Sequence, residues 1–306
     1  MKLQQLKYIC EVVKQDLNLS KAAAELYTSQ PGVSKQIKAL EDELGVDIFI
    51  RHGKRFTGIT DPGRAIIQKA QAALTDLNSL RNISNEFTNE TSGSLKIATT
   101  HTQARYALPL VIKQFREKFP NVKLSLYQGS PTQISQMTSS GEADIAIATE
   151  AISLEKDLAL LPCYQWNRCI LTPPKHPLLR SKRVSLEEIS EFPIITYDFA
   201  FTGRSKINQA FEEKGLKPDV ILTAIDADVI KTYVELELGI GIVAMMAYDP
   251  ARDTKIRALD ASHLFEASTT RIGLRKNSYI RGYVYEFISM FAPHLDKKVV
   301  DSILTS

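Results

Sequence analysis

Gln30, Ser34, Lys35 and Lys38 recur at the spacing of one helix face, and their types suit DNA. The amide and the hydroxyl can bond base edges in a major groove, and the two ammonium groups can reach phosphates. No acidic residue occurs from Thr28 to Lys38, although Glu41, Asp42 and Glu43 follow at once and are expected to turn away. Arg51, Lys54 and Arg55 flank His52 and Gly53 as a basic turn suited to neighbouring phosphates. A second chemical set is neutral. Thr100, Thr102, Gln103, Ser130, Thr132, Thr149 and Thr202 supply hydroxyls and one amide, several beside expected helix starts where backbone N–H groups are unpaired. Such donors hold a small anion without a formal countercharge. Singly, each hydroxyl reads as a helix cap; recurrence at three successive strand ends sets the group apart.

The elements that must position these residues follow from periodicity. Ser20 is the expected N-cap of a short helix with Ala22, Ala23 and Leu26 inward, ending at Tyr27-Thr28. Ser29 caps a second helix, Pro31 occupies its first turn, and Val33, Ile37, Leu40 and Leu44 make its buried stripe. Phe49 closes a small core, and Phe56 to Thr60 returns beside it as a strand, so the basic turn becomes a wing. Pro62-Gly63 then opens a long helix. Along it Ile66, Ala70, Ala73, Leu77, Leu80, Ser84 and Phe87 alternate steps of four and three, a heptad seam suited to a partner helix, and residues 89–93 form a polar hinge.

From Ser94 strands alternate with helices. Leu95–Ala98, Val122–Tyr127 and Ala143–Ala148 read as strands separated by helices over 103–118 and from Pro131, a βαβαβ unit. Open parallel sheets bind ligands beyond their strands' carboxyl ends, here at Thr100, Ser130 and Thr149. Further strands are expected at 167–171, 193–197, 220–224, 240–245 and 270–274, with helices at Ser185, over 226–238 and over 281–291.

Composition suits a globular chain of more than one domain: 306 residues, 44% hydrophobic and 24% charged. No run approaches the roughly 18 apolar residues of a membrane helix, and Met1 to Gln5 does not begin a signal peptide, so a cytoplasmic protein is expected. Cys10, Cys163 and Cys169 have no metal-ligand spacing and read as buried, reduced thiols; the five histidines form no ligand set. The net charge is only +3, and residues 1–58 carry nine Lys and Arg against seven Asp and Glu. A head that weakly charged points to several copies acting together on DNA.

The run AAAELYTSQPGVSKQIKALEDELGVDIFIR resembles the winged helix-turn-helix of LysR-type transcriptional regulators. The stretches TTHTQARYALP, QGSPTQI, ADIAIATEA, LPCYQWNR, FTGRS, DADVIKTYV and MFAPHL extend the resemblance over nearly the whole chain, toward the members that govern cysteine biosynthesis. Gly32 departs from the alanine commonest in that family, which softens the start of the recognition helix by about 1 kcal/mol.

The resemblance implies an α+β winged helix-turn-helix head over 1–59, a dimerising linker helix over 60–90, and a two-lobed α/β periplasmic-binding-protein-like effector domain over 91–306. Lobe I would span about 91–163 and 268–306, and lobe II about 164–267, with crossings near Cys163 and Phe265. The implied partners are double-stranded promoter DNA, RNA polymerase and further copies of the chain, as a dimer through the linker helix and a tetramer beyond it. The implied effector is sulfate, O-acetylserine or N-acetylserine, with no cofactor and no metal. DNA contacts would come from Ser29, Gln30, Pro31, Ser34, Lys35, Lys38, Arg51, Lys54 and Arg55. Effector contacts would come from Thr100, Thr102, Gln103, Thr149 and Thr202, with Ser130, Trp166 and Tyr197 in support.

A LysR-type regulator of another pathway, with a different small anion, is the alternative. An enzyme is the reading from another class, but there is no GxSxG, no GxGxxG after a strand and no catalytic carboxylate pair; Cys163 and His176 lack an orienting partner. A transport solute-binding protein would explain two lobes, but residues 1–90 contradict it.

Overall fold

The computed structural model describes residues 1–53, 55–88, 92–149, 157–199, 204–276 and 278–304, the side chains of 78, 79 and 81–88 excepted. Lys54 and Thr202 therefore lie outside the described residues. The chain divides into two compact units, Met1–Thr88 and Asn89–Ser306.

In the first unit, α1 (Leu3–Lys14), α2 (Leu19–Glu25) and α3 (Gln30–Leu44) enclose a core of Ile9, Val12, Ala22, Val33, Ile37 and Leu40. The N-cap of α2 is Asn18 rather than Ser20: its side chain accepts from the Ser20 and Lys21 amides, both at 3.1 Å. Left-handed backbone at Asp16 and Leu17 reverses the chain two residues early. In α3, Leu44 is exposed and Glu41 is buried in its place. Glu41 accepts from the amides of Ile48 (2.9 Å) and Phe49 (3.2 Å) and from Arg51, so this carboxylate anchors the entry to the wing. Strands β1 (Phe49–His52) and β2 (Arg55–Ile59) form the antiparallel wing, turning at Gly53 with φ +62°, and Phe49 stacks on Phe56 at 4.5 Å.

Helix α4 (Asp61–Thr88) starts against this core. Ile67 and Ala70 are buried in it, so the first two turns of the expected seam belong to the head; Leu77 and Leu80 beyond them are exposed. Gly63 lets the helix approach the wing closely, because a Cβ there would lie 2.1 Å from the Ile48 carbonyl oxygen.

The second unit has two lobes, each built on a five-stranded mixed sheet. In lobe I, β3 (Gly93–Thr99), β4 (Val122–Gln128) and β5 (Ile145–Ala148) are parallel, and β12 (Ser268–Arg275) runs antiparallel between β5 and β6 (Leu158–Trp166), giving the order β4-β3-β5-β12-β6. A π-type turn (Gln103–Ala107) leads into α5 (Leu108–Lys118), α6 (Pro131–Ser139) follows β4, and α10 (Gly282–Phe291) and α11 (Lys297–Leu304) complete the lobe. In lobe II the order is β11-β7-β10-β8-β9, from β7 (Arg168–Thr172), β8 (Ile194–Tyr197), β9 (Val220–Ala224), β10 (Ile240–Ala244) and β11 (Arg257–Asp260), with α7 (Leu186–Ser190), α8 (Arg204–Glu213) and α9 (Ala227–Glu235) between them.

Strand β6 remains paired with β12 as far as Trp166, opposite Ser268, so the chain leaves lobe I at Asn167 and not near Cys163. Arg168 ties the two crossings together. Its buried guanidinium donates to the Glu266 carbonyl (3.0 Å) and the Ser268 hydroxyl (2.9 Å) and lies over the Trp166 ring at 5.1 Å.

Candidate DNA-binding face and effector cleft

On the head, Ser29 accepts from the Gly32 amide at 3.3 Å and starts α3 with Pro31 in its first turn. Ser29, Gln30, Pro31, Lys35 and Arg55 are exposed, and Ser34 is half-buried. Two expected contacts have internal partners. Lys38 pairs with Asp42 at 3.1 Å and Asp47 at 3.8 Å, because Asp42 lies one helical turn away on the same face. Arg51 bonds the buried Glu41 and stacks on Phe56 at 4.8 Å. Two of the acidic trio thus do not turn away: Glu41 points inward and Asp42 pairs with the polar face. Sequence reasoning also missed Tyr27, which sits in the turn with φ +50° and is 98% exposed.

In the second unit, parallel pairing fixes where the threonines meet. Thr99 is opposite Ile147, so Thr100 and Thr149 both lie just past the carboxyl ends of β3 and β5, one register step apart. Arg271 is opposite Ala148 and Ser268 opposite Trp166, so the end of β6 reaches the same edge of the sheet. Lobe II faces it with the end of β8, where the Tyr197 phenol lies near the Thr102 hydroxyl. Burial pushes that phenol's pKa up, which keeps it neutral.

Thr100, Thr102, Gln103, Thr149 and Tyr197 are all buried. Thr149 is 1% exposed and its hydroxyl has no hydrogen-bond partner; the Trp166 indole N–H and His101 Nδ1 are likewise buried and unpartnered. Polar atoms left in this state cost about 1–3 kcal/mol unless a ligand or water meets them. The three lie at the carboxyl end of the lobe I sheet, where a polar ligand would meet them. His101, flanked by Thr100 and Thr102, belongs to no ligand set in the sequence, yet its ring lies at this end of the sheet.

Two expected contacts are otherwise occupied. Gln103 accepts from the Tyr164 phenol and donates to Thr270 at 3.2 Å, so its amide stitches the interior of lobe I. Ser130 forms a capping box with Gln133 at the start of α6, and Thr132 is exposed. Arg204 was missed: it is buried at the end of lobe II's β8, where it donates to the Tyr197 carbonyl at 3.4 Å and to Asn208 at 2.8 Å. The three thiols are poorly suited to redox chemistry, because burial pushes Cys10 up to about 11 and Cys163 and Cys169 up to about 12.

Known proteins share this architecture. Residues 3–64 match the model of bacterial regulatory helix-turn-helix proteins of the lysR family, and residues 88–296 match the LysR substrate binding domain. The HTH-type transcriptional regulator SsuR of Burkholderia cenocepacia is 58% identical over 304 residues, covering 99% of both chains. CysB of the same organism is 50% identical, covering 99% of this chain and 97% of its own. The crystal structure of the cofactor-binding domain of the Cbl transcriptional regulator aligns with a TM-score of 0.68 and 45% identity, covering 72% of this chain and 96% of that one.

Proposed function

This chain belongs to the LysR family of DNA-binding transcriptional regulators, and we propose that it controls sulfur-assimilation and cysteine-biosynthesis promoters in response to a small effector held between the lobes of its second unit. Sulfate, O-acetylserine and N-acetylserine are the effectors proposed, because each presents compact oxygen acceptors to neutral donors. The observation that carries this reading is the buried, unpartnered Thr149 hydroxyl, at the same end of the lobe I sheet as Thr100 and the Trp166 indole N–H. Similarity to SsuR and CysB supports the sulfur assignment.

On the head, Gln30 and Ser34 are proposed to read bases, with Lys35, Arg55 and Ser29 on phosphates. The exposed Leu77 and Leu80 on α4 support a dimer through that helix, from which a tetramer and contact with RNA polymerase are further proposals. The proposed working compartment is the cytoplasm; among the described residues no helix is long and apolar enough to cross a membrane. Calorimetric titration of the full chain with each of the three effectors tests the reading. At least one should bind, with Thr149→Val weaker by about 1–2 kcal/mol for an unmade buried hydrogen bond. Absence of binding by all three would remove the sulfur assignment.

A further inference from the structure

The segment of lobe I that carries the effector donors also carries bonds to lobe II. Three residues beyond Gln103, the Tyr106 hydroxyl donates to Asp228 Oδ1 at 2.7 Å, and Arg105 Nε donates to Oδ2 at 3.3 Å. Asp228 lies in the first turn of α9, where the helix N-terminus favours a carboxylate. The Tyr106 ring packs against the core of lobe II, and Lys231 Nζ stands 5.2 Å from its centroid while pairing with Asp228 at 3.1 Å and Asp253 at 3.2 Å. One π-type turn, Gln103–Ala107, makes both engagements compatible: Gln103 stays inside lobe I while Tyr106 reaches lobe II.

The same cluster brings a His101 ring nitrogen and oxygens of Asp226 and Asp228 within 4.8 Å of one another. A cation is disfavoured there, since both Asp228 oxygens already accept bonds, Arg105 and Lys231 flank them, and Asp226 caps α9 through the Val229 amide at 2.8 Å. The arrangement is a charge network between lobes.

We infer that Tyr106 and Asp228 form a positioning pair that holds the lobes at the angle where Thr149 and Trp166 face the end of β8. The inference rests on the effector reading of the cleft. Neither residue touches the effector in this account. Their bond raises the population of the closed arrangement before any ligand arrives, and affinity at the cleft scales with that population. The occupied state needs donors from both lobes, so a loosened pair weakens binding without removing a contact.

The test uses the full chain carrying Lys113→Cys and Lys214→Cys, exposed positions in lobes I and II, in a Cys10→Ala background. Spin labels there, diluted among unlabelled chains, report the distance between lobes by pulsed electron resonance. Tyr106→Phe keeps the ring and Asp228→Asn keeps the shape. Each should broaden the ligand-free distance distribution toward longer values, and saturating sulfate should narrow it again. Sulfate affinity, read from Trp166 emission in the unlabelled variants, should fall about fivefold in each, the scale of one net hydrogen bond, and little further in the double variant. Unchanged ligand-free distributions in both variants would overturn the pair, even if affinity fell. If wild type binds none of sulfate, O-acetylserine and N-acetylserine yet both variants widen, the pair stands and the effector reading fails.

Discussion

The Tyr197 phenol oxygen, at the end of β8, accepts from the Ala244 amide at the end of β10 at 3.4 Å. Beyond the end of β3, the Thr102 hydroxyl faces this buried oxygen from the other lobe. Tyr197→Phe strands the Ala244 amide. It should lower the stability of the second unit by about 1–2 kcal/mol, measured by denaturant unfolding followed at Trp166.

The head's cations should not contribute equally to DNA binding. Lys35 is exposed with no ion pair among the described residues, whereas Lys38 is held by Asp42 and Asp47. Lys35→Ala should weaken all DNA sequences alike and reduce the slope of log affinity against log salt by about one. Lys38→Ala should change the slope by less. Fluorescence anisotropy across a salt series decides it; equal slopes for both variants would contradict the pairing.

Gly63 tests how α4 is seated. Gly63→Ala would drive a methyl group to 2.1 Å from the Ile48 carbonyl oxygen, a backbone atom that cannot swing aside. The head should lose about 1–3 kcal/mol as helix and wing separate, and calorimetry should show its transition falling while that of the second unit stays in place.

These cases show what could be read in the sequence. The stripe Val33, Ile37 and Leu40 was legible because helical period alone predicts it. Leu44 and Glu41 exchange expected roles because the Ile48 and Phe49 amides, seven and eight residues on, need an acceptor. Likewise the threonines at the ends of β3 and β5 follow from strand pattern, but Gln103 is engaged by Tyr164 and Thr270, 61 and 167 residues away. Strand β6 escaped notice because Pro162 interrupts it; on an edge strand, beside the register shift between Thr270 and Arg271, the missing N–H is tolerated.

Acid should loosen the lobes. Burial alone would raise the pKa of Asp228, but hydrogen bonds from Tyr106 and Lys231, with the charges of Lys231 and Arg105, outweigh it and hold the carboxyl below its ordinary 3.8. A depressed carboxylate contributes stability above its unfolded value and loses it as pH falls through the folded one. Wild type and Asp228→Asn should therefore differ in melting temperature at neutral pH and converge below 3.8. A difference that persists in strong acid would show that charge is not what Asp228 contributes.

The most direct test of the effector cleft uses the chain's single tryptophan, Trp166, whose buried indole N–H has no partner. Titration of the full-length protein with sulfate, O-acetylserine and N-acetylserine should change Trp166 emission saturably for at least one of them. Thr149→Val should shift that titration about 5- to 30-fold to higher concentration, the equivalent of 1–2 kcal/mol. Flat emission with all three effectors, or a Thr149→Val titration that overlays the wild type, would contradict the cleft as the effector site.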